Sequence, residues 1–140
     1  MATPYETIYN RALSKLEDPT LAMLPEEDLE NMLHGYLMSA IAKHRKCEHD
    51  LSDRDEELKQ FNFDLSDLEM EILSILMVRE WISQRLNSVT NVMQVFGGKE
   101  EKWFSQASHI KELREMDDRL RLEAQQLSRD YSYIDNDYFD

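Results

Sequence analysis

The sequence predicts an all-α fold: a small helical bundle with two long helices at about 67–96 and 101–131, two N-terminal helices and an extended C-terminal tail. Three observations lead there. Glycine and proline number only three each in 140 residues, too few for a chain built of turns and hairpins, and the remaining alphabet favours helix. Apolar residues recur at helical spacing over the two long stretches. Between the periodic stretches stand start and stop signals of the kind that bound helices. The length suits one domain with a modest core, placed at 1–130, followed by an extended partner-docking tail at 131–140.

The elements follow in order. In TPYE, at 3–6, Thr3 is expected to cap the first helix, Pro4 to fit its first turn and Glu6 to complete a capping box. Tyr5, Ile8, Tyr9, Ala12, Leu13 and Leu16 then recur at helical spacing, and Asp18 before Pro19 ends the helix. A second helix starts near Pro25, with acids at 26–28 in its first turn and Lys43 in its last, each matching the helix dipole. Its buried stripe reads Leu29, Met32, Leu33, Tyr36, Leu37, Ala40 and Ile41, and Gly35 within it marks a close helix contact or a slight weakness.

The polar block 43–65 predicts a loop with a short helix at about 53–60, capped by Ser52 with Asp55 three residues on. The tetrapeptide DLSD occurs here at 50–53 and again at 64–67. In the second copy Ser66 is followed by Glu69 and an apolar run, which is a capping box, with Leu65 and Met70 placed as a hydrophobic staple. From Leu68 the apolar positions run 68, 72, 75, 82, 86, 89, 93, 96, with Arg79 in the one gap. Leu73, Leu76, Met77 and Trp81 widen that stripe, so this helix packs on more than one neighbour. Gly97-Gly98 ends or hinges it. The last helix repeats the register through Trp103, Ala107, Ile110, Leu113, Leu120, Ala124, Leu127 and Tyr131, interrupted at Asp117.

A formal net charge of −13 argues against a protein that binds nucleic acid by neutralising phosphates. With the single Cys47 no intramolecular disulfide forms, which fits a reducing compartment. No apolar run reaches membrane-spanning length, and MATPYETIYN has no apolar signal core, so a cytoplasmic product is expected. Two stretches invite a metal reading. Asp53, Asp55 and Glu57 alternate like a calcium loop, but Leu58 occupies the position where that loop needs glycine. His44, Cys47 and His49 resemble half a zinc site without its second half. Cys47 has no marked base to make it a nucleophile, and phosphate loops, nucleophile elbows and paired catalytic carboxylates are not apparent. The expectation is a binding protein without metal, cofactor or catalysis.

The string KCEHDLSDRDEELKQFNFDLSDLEMEILSILMVREWISQRLN, followed by FSQASHIKELREMDDRLRLEAQQLSRDYSY, resembles the head–tail connector (adaptor) proteins of tailed bacteriophages and prophages of Gram-positive hosts. The resemblance spans roughly 43–135 and is carried by the order DLSDRD, KQFN, the EIL-LMV-EW run, FSQASH and RDYSY. It implies a virion structural protein, made in the bacterial cytoplasm, that forms a ring of about twelve copies under the portal in the neck. It implies further that the ring extends the DNA channel, docks its C-terminal segment on the portal above and meets a stopper or tail-completion protein below, with no catalysis or cofactor.

Three features of the residues agree with that expectation. Surplus apolar surface at 68–96 suits a ring subunit, which needs two different sticky faces, and Trp81, Trp103 and Phe104, on helical stripes that either pack in the core or anchor an interface, are candidates for such contacts. Twelvefold accumulation of a −13 charge, if part of it lines the lumen, keeps a channel from adhering to DNA. Tyr131, Tyr133, Ile134, Tyr138 and Phe139 form an aromatic tail suited to folding on a partner. Self-repulsion among copies makes Lys43, Arg45, Lys46 and Arg54 candidate inter-subunit partners for the acidic helix starts. The alternative from another class is a soluble acidic helical regulatory module that binds a host protein.

Overall fold

The computed structural model describes the backbone of residues 2–16, 24–44, 50–96 and 100–136, and the side chains of these except 88–107 and 131–136. In chain order come β1 (Thr3–Pro4), α1 (Tyr5–Lys15), α2 (Glu26–Lys43), β2 (Arg54–Asp55), β3 (Gln60–Phe61), α3 (Asp67–Phe96) and α4 (Glu100–Asn136). The fold is a helical bundle with one small antiparallel sheet, of strand order β1-β3-β2.

Helix α3 is the axis, and α1, α2 and α4 each pack on it. Every residue from Ile72 to Val78 is buried, whichever way it faces. Periodicity fades in such a segment because no side of the helix meets water. Leu33, Tyr36, Leu37 and Ala40 of α2 are buried, as are Ile8, Tyr9 and Ala12 of α1. Leu29, Met32 and Ile41 are partly buried and pack on the same core, so the α2 stripe is as its spacing predicts. Gly35 is exposed, and a Cβ there would meet nothing within 4 Å. Of the two readings of Gly35, close contact is therefore excluded and local weakness remains.

Helix α3 starts where the capping box places it. The Glu69 amide donates to Ser66 Oγ at 3.1 Å, and the Ser66 amide donates to Glu69 Oε1 at 3.2 Å. Leu65 and Met70, the two staple positions, are both buried.

Two other caps are different from the sequence expectation. Thr3 does not cap α1. It lies in β1, pairs with Phe61, and its hydroxyl bridges the hairpin to α3: Oγ1 donates to the Phe63 carbonyl and accepts from the Leu65 amide, both at 2.9 Å. Pro4 is the N-cap residue of α1, without a side-chain cap, and the Tyr5 amide donates instead to the Lys59 carbonyl at 2.9 Å. A distant segment thus satisfies a group that the local sequence was expected to satisfy.

Ser52 likewise starts no helix, because 53–60 is a β-hairpin. The Ser52 amide donates to Asp50 Oδ1, and Asp55 Oδ1 accepts from the amides of both Glu57 and Leu58. These aspartate turns compete with helix for the same N–H groups. Lys59 closes the loop at φ 53, the left-handed region, and Arg54 and Asp55 pair with Phe61 and Gln60. Helix-favouring composition loses here to local carboxylate turns and to pairing with the N-terminal strand.

The C-terminal tail is a further correction. Residues 131–136 continue α4 as helix, where an extended segment was expected from 131. No glycine or proline interrupts 100–136, and adding a residue to an existing helix costs little beside starting one. Residues 137–140 lie outside the described residues. No helix is long and apolar enough, among the described residues, to cross a membrane.

The two hydroxyls at the ends of the hairpin–α3 segment should be separable by stability. Ser66→Ala removes one cap bond and should cost about 1 kcal/mol. Thr3→Val leaves a buried carbonyl and amide unpaired and should cost about 2–3 kcal/mol. Urea titrations that rank the two in the reverse order would refute the bridging role of Thr3.

Candidate assembly surfaces

The two gaps in the long helical stripes meet. Arg79, in place of an apolar residue on α3, donates from Nε to Asp117 Oδ1 at 2.9 Å, and Asp117 interrupts the stripe of α4. Ile72 and Leu76 share a hollow with Ala124 and Ser128, so the two helices run antiparallel. Along that register, α4 beyond about residue 130 passes the start of α3. The backbone of 131–136, which carries Tyr131, Tyr133 and Ile134, projects roughly 9 Å further at the helical rise.

Ion pairs tie the other helices to α3. Arg11 of α1 donates to Asp67 at 3.0 Å and to Glu71 at 2.9 Å, and Lys15 also pairs with Glu71. Burial acts to raise the Glu71 pKa, but Lys15 and Arg11 outweigh it and hold the carboxyl below its usual value. Lys43, at the end of α2, pairs with Glu80 of α3. Tyr36 of α2 donates to Gln84 at 2.7 Å, and burial, then Glu80, raises the pKa of its phenol.

The hairpin loop is clamped onto α1 and α2 by one carboxylate. Glu56 accepts from Tyr5 Oη at 3.1 Å and from Arg54 Nε at 2.8 Å, and lies 2.7 Å from His34 Nε2. The His34 and Arg54 contacts depress its pKa. Burial, then the Glu56 hydrogen bond, pushes the Tyr5 phenol up to about 12, so it stays protonated as a donor. Tyr5 also packs edge-on against Phe61 with ring centroids 5.1 Å apart. This cluster draws on positions 5, 34, 54, 56 and 61, and their separation hid it from a reading of local spacing. Lys59 adds a 2.9 Å pair to Glu30 of α2.

Two hollows lie at opposite ends of α2. One, of about 390 Å³, opens between α1 and the start of α2 and is lined by Glu6, Glu26 and Glu30 among apolar side chains, with Lys59 at Glu30. The other, of about 590 Å³, lies where the end of α2 meets α3 and α4. Lys43, Arg79, Arg121 and Arg129 line it, with Ile72, Leu76 and Ala124 as its apolar wall and no carboxylate among the described residues that line it. His44 also lines it. Burial lowers the His44 pKa, and Glu69 opposes that shift.

Among the residues expected to mediate contacts, Lys43 and Arg54 are thus engaged within the chain, Arg54 also donating to the Leu51 carbonyl at 2.8 Å. Trp81 is half-buried against the core, with the Arg85 guanidinium 6.0 Å from its ring centre. Trp103 and Phe104 lie on α4, but their side chains are outside the described ones, as are those of Tyr131, Tyr133 and Ile134. Arg45, Lys46, Cys47, His49, Tyr138 and Phe139 lie outside the described residues altogether. Spacing did not single out Arg121 and Arg129, because on a helix that alternates acids and bases only the neighbouring helices show which charges converge. Among the described residues, no group of three or more His, Cys, Asp or Glu side chains is placed to hold a metal ion.

Comparisons with known protein families, with curated proteins and with solved structures found no match to this chain.

Two outcomes follow from the ion pairs. Arg79→Leu or Asp117→Leu alone strands a half-buried charge and should cost about 1 kcal/mol, while the double variant should cost less than the two singles together. Strictly additive losses in a double-mutant cycle would mean that the pair contributes nothing. For Glu71 the folded pKa is depressed, so its contribution is full above the unfolded value of 4.5 and is lost as the pH falls through the folded value. Melting temperatures of wild type and Glu71→Gln should therefore converge at acid pH and separate above 4.5, with wild type higher.

Proposed function

We propose that this chain is a structural component of a tailed-phage neck, which assembles as a ring of about twelve copies under the portal, extends the DNA channel and joins head to tail. The observation that carries the reading is the exposure of α4. It is a 37-residue helix, yet from Ser108 to Asp130 only Leu113 and Ala124 are buried. A helix of that length, held along one narrow face, offers surface to partners that a monomer has no use for. The resemblance of 43–135 to connector proteins gives those partners a class: further copies of the chain, the portal above, and a stopper or tail-completion protein below.

Charge supports the same reading. A chain of net −13 repels the phosphates of DNA, so a channel of many copies lets DNA pass without adhesion. In this reading the work is binding and channel formation, without catalysis or cofactor. The projecting end of α4, with Tyr131, Tyr133 and Ile134, followed by Tyr138 and Phe139, is the segment assigned to the portal.

Phage assembled without this protein should yield DNA-filled heads that lack tails or leak, as seen by negative-stain microscopy. Normal tailed particles would refute the proposal. Deleting 131–140 should abolish capture by purified portal protein while leaving the thermal unfolding midpoint nearly unchanged. Capture that survives the deletion would remove the tail from the portal contact. A gene position beside portal or capsid genes favours this reading, whereas an early-gene position favours a regulatory module.

A further inference from the structure

The four cations around the larger hollow are unusual in this chain, in which 29 acidic residues outnumber 16 lysines and arginines. Arg79 and Lys43 are paired with Asp117 and Glu80. Arg121 is 3.8 Å from Asp118, a loose contact, and Arg129 has no ion-pair partner among the described residues. Among the described residues, the hollow therefore presents at least two incompletely neutralised guanidinium groups beside an apolar wall.

The complementary surface is on the same molecule but out of its own reach. Glu26, Glu27 and Asp28 are exposed at the start of α2, with Glu6 and Glu30 beside them in the smaller hollow. The helix separates Glu26 from Lys43 by about 26 Å at the ordinary rise, so the acidic end cannot enter the basic hollow of its own chain. Of the three large apolar side chains that stay exposed among the described residues, two are at the acidic end and the third is the sequence neighbour of Arg121 on α4. Leu24 is 39% exposed ahead of α2, Leu58 is 66% exposed at the acidic hollow, and Leu122, 55% exposed, follows Arg121.

From this polarity we infer that the basic hollow formed by Lys43, Arg79, Arg121 and Arg129 receives the acidic start of α2, residues 24–28, from a second copy of this chain. The contact is heterologous: each copy gives its acidic end to one neighbour and its basic hollow to the other. Repeated, it makes a closed ring if the rotation closes and a filament if it does not. Guanidinium–carboxylate pairs give register, and the leucines give the apolar part of the contact. The inference deepens the ring reading of the neck protein and rests on it for the number of copies, but not for the existence of the contact.

The test uses the purified full chain at millimolar concentration and low salt, followed by analytical ultracentrifugation. Wild type should self-associate, and added salt should weaken the association. Arg121→Glu with Arg129→Glu, which changes two exposed side chains, should weaken it by about tenfold or more, as should Glu26→Arg with Glu27→Arg. Circular-dichroism melts check that both variants remain folded. A mixture of the two charge-swapped proteins should restore larger, alternating assemblies, because the acidic start of one fits the unchanged hollow of the other and the reversed start fits the reversed hollow. All four substitutions in one chain should restore larger assemblies. A wild type that stays monomeric, or association unaffected by either swap, would overturn the contact. Portal capture, measured on the same samples, keeps the two readings apart. Portal binding with charge-insensitive association sinks this contact alone, and charge-sensitive association without portal binding sinks the neck reading alone.

Discussion

Everything in this fold depends on covering α3. Its seven consecutive buried residues, Ile72 to Val78, put apolar surface on every side of the helix, and a helix in that state cannot stand with fewer than three neighbours. Helices α1, α2 and α4 supply them. The small sheet serves the same end, since β1 and the hairpin hold α1 against the start of α3 through Thr3 and the Lys59 carbonyl. The Ser66–Glu69 box fixes where that burial begins.

Burial alone does not set how the neighbours lie along α3, because apolar contacts are weakly directional. The ion pairs add that specification. Helix α3 offers carboxylates, Asp67, Glu71 and Glu80, to the cations of α1 and α2, and turns a cation, Arg79, toward α4. All are partly exposed, so each contributes modestly to stability, and their role is registration more than strength. A consequence is that charges of both signs are drawn to the helix seams. Among the described residues, two groups of like charge stand at the ends of α2, acidic at its start and basic where it meets α4.

That polarity bears on the proposed assembly. A strongly negative chain that must pack against copies of itself works against long-range repulsion. In the proposed ring, a local patch of opposite sign would let repulsion and adhesion coexist: the bulk of the surface would keep copies and DNA apart, and one complementary pair of ends would bring neighbours together in a single orientation. The exposed length of α4 is then free for partners above and below the ring in the proposed neck.

The four helices were legible in the sequence because their signals are local. The apolar spacing of α1, α2 and α3, Pro25 and Lys43 at the ends of α2, and the Ser66 box all act within a few residues. DLSD shows the limit. Its second copy caps a helix and its first makes a turn, and the same four residues take different roles because Thr3 and Pro4 pair with β3 of the hairpin that follows the first. Helix propensity could not announce that hairpin, nor the cluster around Glu56, since their partners come from distant segments. Likewise the sequence showed Arg79 and Asp117 as two separate interruptions, and only the antiparallel register of α3 and α4 made them one contact. By itself, then, the sequence determined the four helices and the apolar stripes of α1 and α2, though neither the hairpin at 53–60 nor the helical course of 131–136, because helical spacing and caps are properties of neighbours along the chain. The tertiary structure alone decided which charges meet, which are left over and where they gather, because electrostatic contacts depend on distance through space.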